Sequence, residues 1–211
     1  LRLRGARRWA AWAVCTVPVL MGFVAPVAFM LRPLAADWSV LPWERFMEWA
    51  WHSVRLGGIT AALAVAIALA LAFAVRRQPD VVTRGVVQLA SVGYAVPGAV
   101  IVVGLLLPVG WLQAAMPHWG VGALVTATAF GIAWAYLVRF CAVALQSMQS
   151  GYARIPASFD DSARMLGAGG FGLLRRVHWP LLRRSTAAAA LLVFVDVMKE
   201  LPATLVLRPF D

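Results

Sequence analysis

The sequence predicts an all-α, polytopic membrane helix bundle, and three observations carry that prediction. Of 211 residues, 62% are hydrophobic and 13% charged, where a soluble domain carries about a quarter charged. Mean hydropathy is +0.79, and the apolar residues fall in blocks of about 20, the length that crosses a bilayer as helix. The arginines lie almost wholly between those blocks. A chain this poor in polar sequence has too little to build a water-compatible exterior.

The spans follow in order. Residues 9–31 hold 23 positions without a charge, and residues 56–75 form an Ala- and Leu-rich second block. Residues 85–107 form a third, interrupted by Gln88 and Pro97, and residues 120–138 a fourth that ends at Arg139. The fifth, 185–207, differs because Asp196, Lys199 and Glu200 lie within it. Five is an odd count for a symmetric fold and the chain opens at Leu1, so it reads as a fragment with a sixth, returning span expected beyond it. The first block is too long for a signal-peptide core and is not followed by a soluble sequence.

Basic residues set the orientation. With the start of the chain cytoplasmic, the inside segments hold 14 of the 19 Lys and Arg, among them Arg76, Arg77, Arg84, Arg139, Arg175 and Arg176. The outer segment 32–52 carries Trp38, Trp43, Trp49 and Trp51. Tryptophan favours the headgroup layer, so this segment reads as an interfacial anchoring helix, with docking of an external partner as the alternative.

Several chemistries are set aside. A net charge of +10 points to nucleic acid only when the basic residues share a folded face with interleaved aromatics, and here they mark topology. Cys15 and Cys141 sit in separate apolar blocks without CxxC or Cys/His spacing, and neither a zinc site nor a disulfide is expected. His52, His118 and His178 are scattered and form no ligand set. There is no G-x-x-x-x-G-K-[ST] phosphate loop and no His-Glu-x-x-His. No metal, cofactor or catalytic residue is therefore assigned.

The longest inside segment, 146–184, carries the strongest local pattern. Ser158-Phe159-Asp160-Asp161 reads as a helix start, Ser158 capping and the two carboxylates favouring the positive helix end. Gly167 provides a left-handed stop, and Gly169-Gly170 add slack. A second short helix is predicted over 171–179, ended by Pro180, with Phe171, Leu174 and Val177 as its apolar stripe. Arg175, Arg176, Arg183 and Arg184 suit lipid headgroups first and a partner second.

This segment resembles the cytoplasmic "EAA" loop of ATP-binding-cassette importer permeases: Glu-Ala-Ala, three residues, Gly, nine residues, Ile, one residue, Leu-Pro. Here Asp161-Ser162-Ala163 precedes Gly167 by the same interval, and Val177, Trp179 and Pro180 hold the later positions. Asp, Ser, Val and Trp replace Glu, Ala, Ile and Leu. The resemblance implies the transmembrane domain of a type I importer. It also implies that Phe159, Asp160, Asp161, Ala163, Gly167, Val177 and Pro180 belong to the contact with a cytoplasmic ATPase dimer. Asp161 then either pairs with a basic residue of that partner or serves as a helix-start carboxylate, and both can hold.

In the fifth block, Asp196 and Glu200 are four apart, on one helical face, with Lys199 beside them and Pro202 interrupting the helix. Charges at such depth face a protein interior or a watery path. Asp196, Lys199, Glu200 and Pro202 therefore stand as a candidate lining of a translocation path, or as a structural ion-pair cluster. The string Lys199-Glu200-Leu201-Pro202-Ala203-Thr204, continuing to Phe210, resembles the iron(III) branch of the same permeases. Tyr94-Ala95-Val96-Pro97-Gly98 and Tyr136-Leu137-Val138-Arg139-Phe140 support that branch. That resemblance implies a bacterial inner-membrane protein with two homologous halves, this chain being most of the second. It implies as partners an external iron-binding protein, the other permease half and membrane lipid. Thiamine, phosphonate, polyamine and sulfate permeases share the loop, and an ion-driven carrier using Asp196 and Glu200 as proton sites is the more distant alternative.

Overall fold

The structure is a computed structural model that describes residues 5–126 and 128–207. The continuation of the iron-type string at Arg208, Pro209 and Phe210, and the topogenic Arg2 and Arg4, lie outside the described residues. The chain divides into two compact units, 1–49 and 50–211. Among the described residues every regular element is helical, giving an all-α membrane helix bundle.

The first unit holds helix α1, Ala6–Ala36. Pro18 and Pro26 flank a π-helical stretch at Leu20–Val24. A proline has no N–H to donate and its ring crowds the preceding turn, so a local widening of the helix accommodates both. No residue of α1 is buried, and Trp9, Phe23 and Phe29 stand open on it. In the same unit Trp38 and Trp43 pack at 4.4 Å between ring centroids, and the Trp43 indole N–H donates to the Trp38 carbonyl at 3.0 Å.

Helix α2, Trp43–Arg77, runs 35 residues without a break, about 52 Å at the helical rise. Trp43, Trp49 and Trp51 therefore sit in the first turns of one long helix and not in a separate surface helix, while Trp38 lies in the turn before it. The helix is longer than a hydrocarbon core of about 30 Å requires. Its buried stripe is Gly57, Thr60, Ala61, Ala64, Val65, Ala68 and Ala72, small residues at helical spacing that admit a neighbour closely. The Phe194 ring lies 3.2 Å from where a Cβ of Gly57 would stand.

The third predicted span is divided. Helix α3, Val81–Val92, starts at an Asp80 cap that accepts the Thr83 N–H at 2.8 Å. A 3-10 turn, Gly93–Ala95, and an extended Val96 follow, and α4 resumes at Gly98–Ala115. Pro97 forces the residue before it out of the helical region. Gly93 lets the turn lie against the helix that carries Val138, because a Cβ there would come 2.0 Å from the Val138 carbonyl oxygen. The fourth span is displaced along the chain: a short α5, Val121–Thr126, precedes α6, Ala129–Tyr152. Arg139 does not end this helix, since a carboxylate elsewhere in the fold meets it.

Beyond α6 come α7, Ala157–Met165, and α8, Gly170–Leu173. A π-helical turn, Leu174–His178, then leads without interruption into α9, Trp179–Lys199. Pro180 thus sits in the first turn of a long helix and does not end a short one. The wide turn before it absorbs the bond a proline cannot make. The fifth predicted span is likewise broken: α9 stops at Lys199, Glu200 is extended, and α10 restarts at Pro202–Leu207.

Helices α6 and α9 form the centre of the second unit. Tyr136, Phe140, Leu145 and Met148 of one and Leu182, Ala189, Val193 and Val197 of the other are buried. Among the described residues, four helices are long and apolar enough to cross a membrane: α1, α2, α4 and α6.

Candidate functional site

The loop hairpin is held by a clamp of four side chains from separate elements. Asp160 of α7 is buried and accepts from Arg76 Nε at 2.8 Å and from His178 Nε2 at 2.9 Å. Arg76 also donates through Nη2 to the Pro156 carbonyl at 3.0 Å. The other ring nitrogen of His178, Nδ1, lies 3.2 Å from the Tyr152 hydroxyl, and the Phe73 ring meets the imidazole edge-on. His178 has no exposure at all. Burial alone would raise the Asp160 carboxyl, but the hydrogen bonds from Arg76 and His178 outweigh it and hold the group below the ordinary carboxylate range.

The hairpin around this clamp forms for local reasons. Pro156 begins α7, and Ser158 lies inside its first turn, so the predicted Ser158 cap is not made. At the far end Gly167 has φ +81°. Its N–H donates to the Arg164 carbonyl, and the Ala168 N–H to that of Ala163, both at 2.9 Å. This pair of reverse bonds closes the helix with a left-handed residue. Gly170 leaves room for Arg77, whose Nη1 would lie 2.4 Å from a Cβ there.

The seven loop residues that the motif marks face different ways. Asp160 and Ala163 point inward. Phe159 is half-exposed, Asp161 is open and makes only a 3.6 Å contact with Arg164, and Pro180 is open. Val177 is partly covered, and Gly167 turns the chain. The expected stripe is not the buried one: Phe171 is 74% exposed, while Leu173 and His178 point inward. Two apolar residues that the motif does not specify, Met165 and Leu166, are 89% and 88% exposed at the tip. Their signal was a pair of large hydrophobics just before a helix-stopping glycine.

A second constellation lies inside the bundle. Glu200, buried at the break after α9, pairs with Arg139 Nη1 of α6 at 3.3 Å. The pair rests on the first residue of α4, where a Cβ on Gly98 would stand 2.2 Å from Glu200 Oε1 and 2.5 Å from Arg139 Nη1. The Glu200 carbonyl, released by the break, accepts from the Thr204 and Tyr136 hydroxyls. The segments 94–98, 136–140 and 199–204 therefore meet in one joint between two broken helices and a continuous one. Lys199 instead turns to Asp196 at 2.8 Å. Asp196 and Glu200 do not share a face, because the helix ends between them. Pro202 is exposed at the start of α10.

No protein-family model matches the chain. It is 28% identical over 166 residues to the maltose/maltodextrin transport system permease protein MalG of Vibrio parahaemolyticus, an overlap of 78% of this chain and 54% of the relative. It is also 28% identical over 195 residues to the Fe(3+)-transport system permease protein FbpB 2 of Haemophilus influenzae, covering 92% of this chain and 36% of that protein. The chain thus spans about half and about a third of these curated relatives. Both are permease components of transport systems.

Proposed function

We propose that this chain is a membrane-spanning permease component of an ATP-binding-cassette importer in a bacterial inner membrane, with its α7 hairpin docked on a cytoplasmic ATPase. The observation that carries this reading is the hairpin itself. Its inner face is pinned by Asp160, Arg76 and His178, while Phe159, Met165, Leu166 and Phe171 present apolar surface outward. A pinned helix with an apolar tip receives and delivers force, because its position relative to the bundle is fixed. Both relatives named as permeases, and the spacing from Asp161 to Pro180, support it. ATP hydrolysis then falls to the partner, a binding protein delivers cargo from outside, and a second permease half completes the path. In this arrangement the start of the chain is cytoplasmic.

For cargo, the reading favoured is iron(III), on the longer overlap with the Fe(3+) system relative and the string from Lys199 to Thr204. The maltose system relative supports a sugar as the second reading. Uptake of labelled iron(III) and of labelled maltose by cells carrying and lacking the intact transporter separates them.

The docking role is tested at Gly167. A β-branched residue is strained at φ +81°, so Gly167→Val should leave the protein in the membrane but cut the co-purified ATPase at least about tenfold, a loss of about 1.4 kcal/mol. Normal recovery of an ATPase that drives normal uptake would overturn the docking role.

A further inference from the structure

A cavity of about 630 Å³ opens on one side of the second unit, between α3, α6 and α9. Its lining includes Ser91 and Tyr94 from the α3 side, Gln146 and Gln149 one turn apart on α6, and Asp196 with Leu192 on α9. In a chain that is 62% hydrophobic, two carboxamides, two hydroxyls and a carboxylate gathered on one wall stand out. Uncovered amides in hydrocarbon each cost on the order of several kcal/mol, so such a wall faces water or protein and not lipid. Gln149 lies 10 residues from Arg139 along α6, about 15 Å at the helical rise. The trough therefore runs from the cytoplasmic end of α6 toward the level of the Arg139–Glu200 joint.

The electrostatics of the wall are specific. Its carboxylate, Asp196, is tied to Lys199 at 2.8 Å, and Glu200 is turned inward to Arg139. What the wall presents is a set of neutral hydrogen-bonding groups.

We infer that this trough is a water-filled half-channel for cargo, and that Ser91, Tyr94, Gln146 and Gln149 take a solute clothed in oxygen atoms through neutral hydrogen bonds. Those oxygens are the hydroxyls of a sugar or the coordinating shell that a metal ion carries with it. The inference rests on the reading of the chain as a permease and names the cargo-facing residues of that permease. Of the residues proposed from sequence for the path, Asp196 lines it, Lys199 neutralises it, and Glu200 and Pro202 stand apart.

The test uses the assembled transporter in inverted membrane vesicles, with Cys15 and Cys141 replaced by Ala and single cysteines introduced as Ser91→Cys, Gln146→Cys and Val103→Cys. Val103 is an exposed apolar residue of α4. A hydrophilic thiosulfonate should modify positions 91 and 146 at least about tenfold faster than 103, and equal, slow rates would sink the half-channel. Cationic and anionic reagents, scaled to a free thiol, should react at 146 within about threefold of each other, and removing Lys199 (Lys199→Ala) should favour the cation about fivefold. A preference beyond about tenfold either way with Lys199 present would overturn the neutral wall. Slowed modification of position 146 by maltose assigns the oxygens to a sugar, and slowing by ferric citrate assigns them to a metal's own shell. Slowing by neither overturns the ligand class. None of these measurements needs a competent ATPase, so their failure is distinct from failure of the docking role.

Discussion

Two ion pairs tie separate elements together in this protein, and they are fastened very differently. At the hairpin clamp, Asp160 has two donors within 2.9 Å, Arg76 spends a further N–H on a carbonyl, and both nitrogens of His178 are engaged. At the joint inside the bundle, Glu200 and Arg139 meet through one contact of 3.3 Å, and Arg139 Nε has no hydrogen-bond partner among the described residues. A buried pair repays its desolvation only when the remaining donors and acceptors are satisfied. The clamp meets that condition and the joint does not. The clamp is the better satisfied of the two contacts.

Breaking the clamp should give the largest effect. Asp160→Ala leaves the buried His178 and the partly buried Arg76 without their acceptor, at a cost of about 3 kcal/mol. Proteolysis between residues 165 and 171 should become at least tenfold faster, by limited digestion in detergent, and unchanged protection would show that the hairpin is held by packing alone. Acid probes the same contact. Since the folded Asp160 carboxyl titrates below its ordinary value, its contribution is complete above the unfolded value of about 3.9 and is lost as pH falls through the folded one. Protection of the hairpin should therefore be level from about pH 7 to 5 and decline below about pH 4, a decline that Asp160→Ala removes.

The joint is probed by its glycines. Gly93 faces a backbone oxygen that cannot retreat, whereas Gly98 faces the ends of two long side chains that can. Gly93→Ala should cost about 2–3 kcal/mol by forcing α3 from α6, and Gly98→Ala about 1 kcal/mol by displacing the pair. Thermal unfolding in detergent orders them, and the reverse order would contradict a yielding joint. Smallest of all, Asp161→Ala should leave thermal stability unmoved, because its contact with Arg164 is long and exposed. Any loss at this position should appear only in ATPase recovery.

Much of this was legible in the residues. Long apolar blocks and the placement of arginine suffice for a helical membrane bundle, and a glycine at position 167 suffices for the left-handed stop. The breaks were not. Pro97 and Pro202 announce interruptions, but an apolar run reads the same whether one helix or two cross it. Pro180 misled in the opposite sense, since a π-helical turn lets a helix pass through it. The partners of Asp160 and Glu200 were hidden for another reason. Arg76 and Arg139 lie 84 and 61 positions away in sequence, and only the folded arrangement chooses which buried carboxylate each arginine meets.

The uninterrupted run of helix from residue 170 to Lys199 has a mechanical consequence. His178 of the clamp lies on it and Glu200 of the joint directly follows its last residue, 22 residues further along the chain, about 33 Å at the helical rise. One continuous stretch of helix thus connects the two fastenings. A swing of about 5° pivoting on the imidazole carries the far end about 3 Å over that length. That displacement is comparable to the 3.3 Å contact between Glu200 and Arg139, so even a small tilt about His178 would be enough to change that contact.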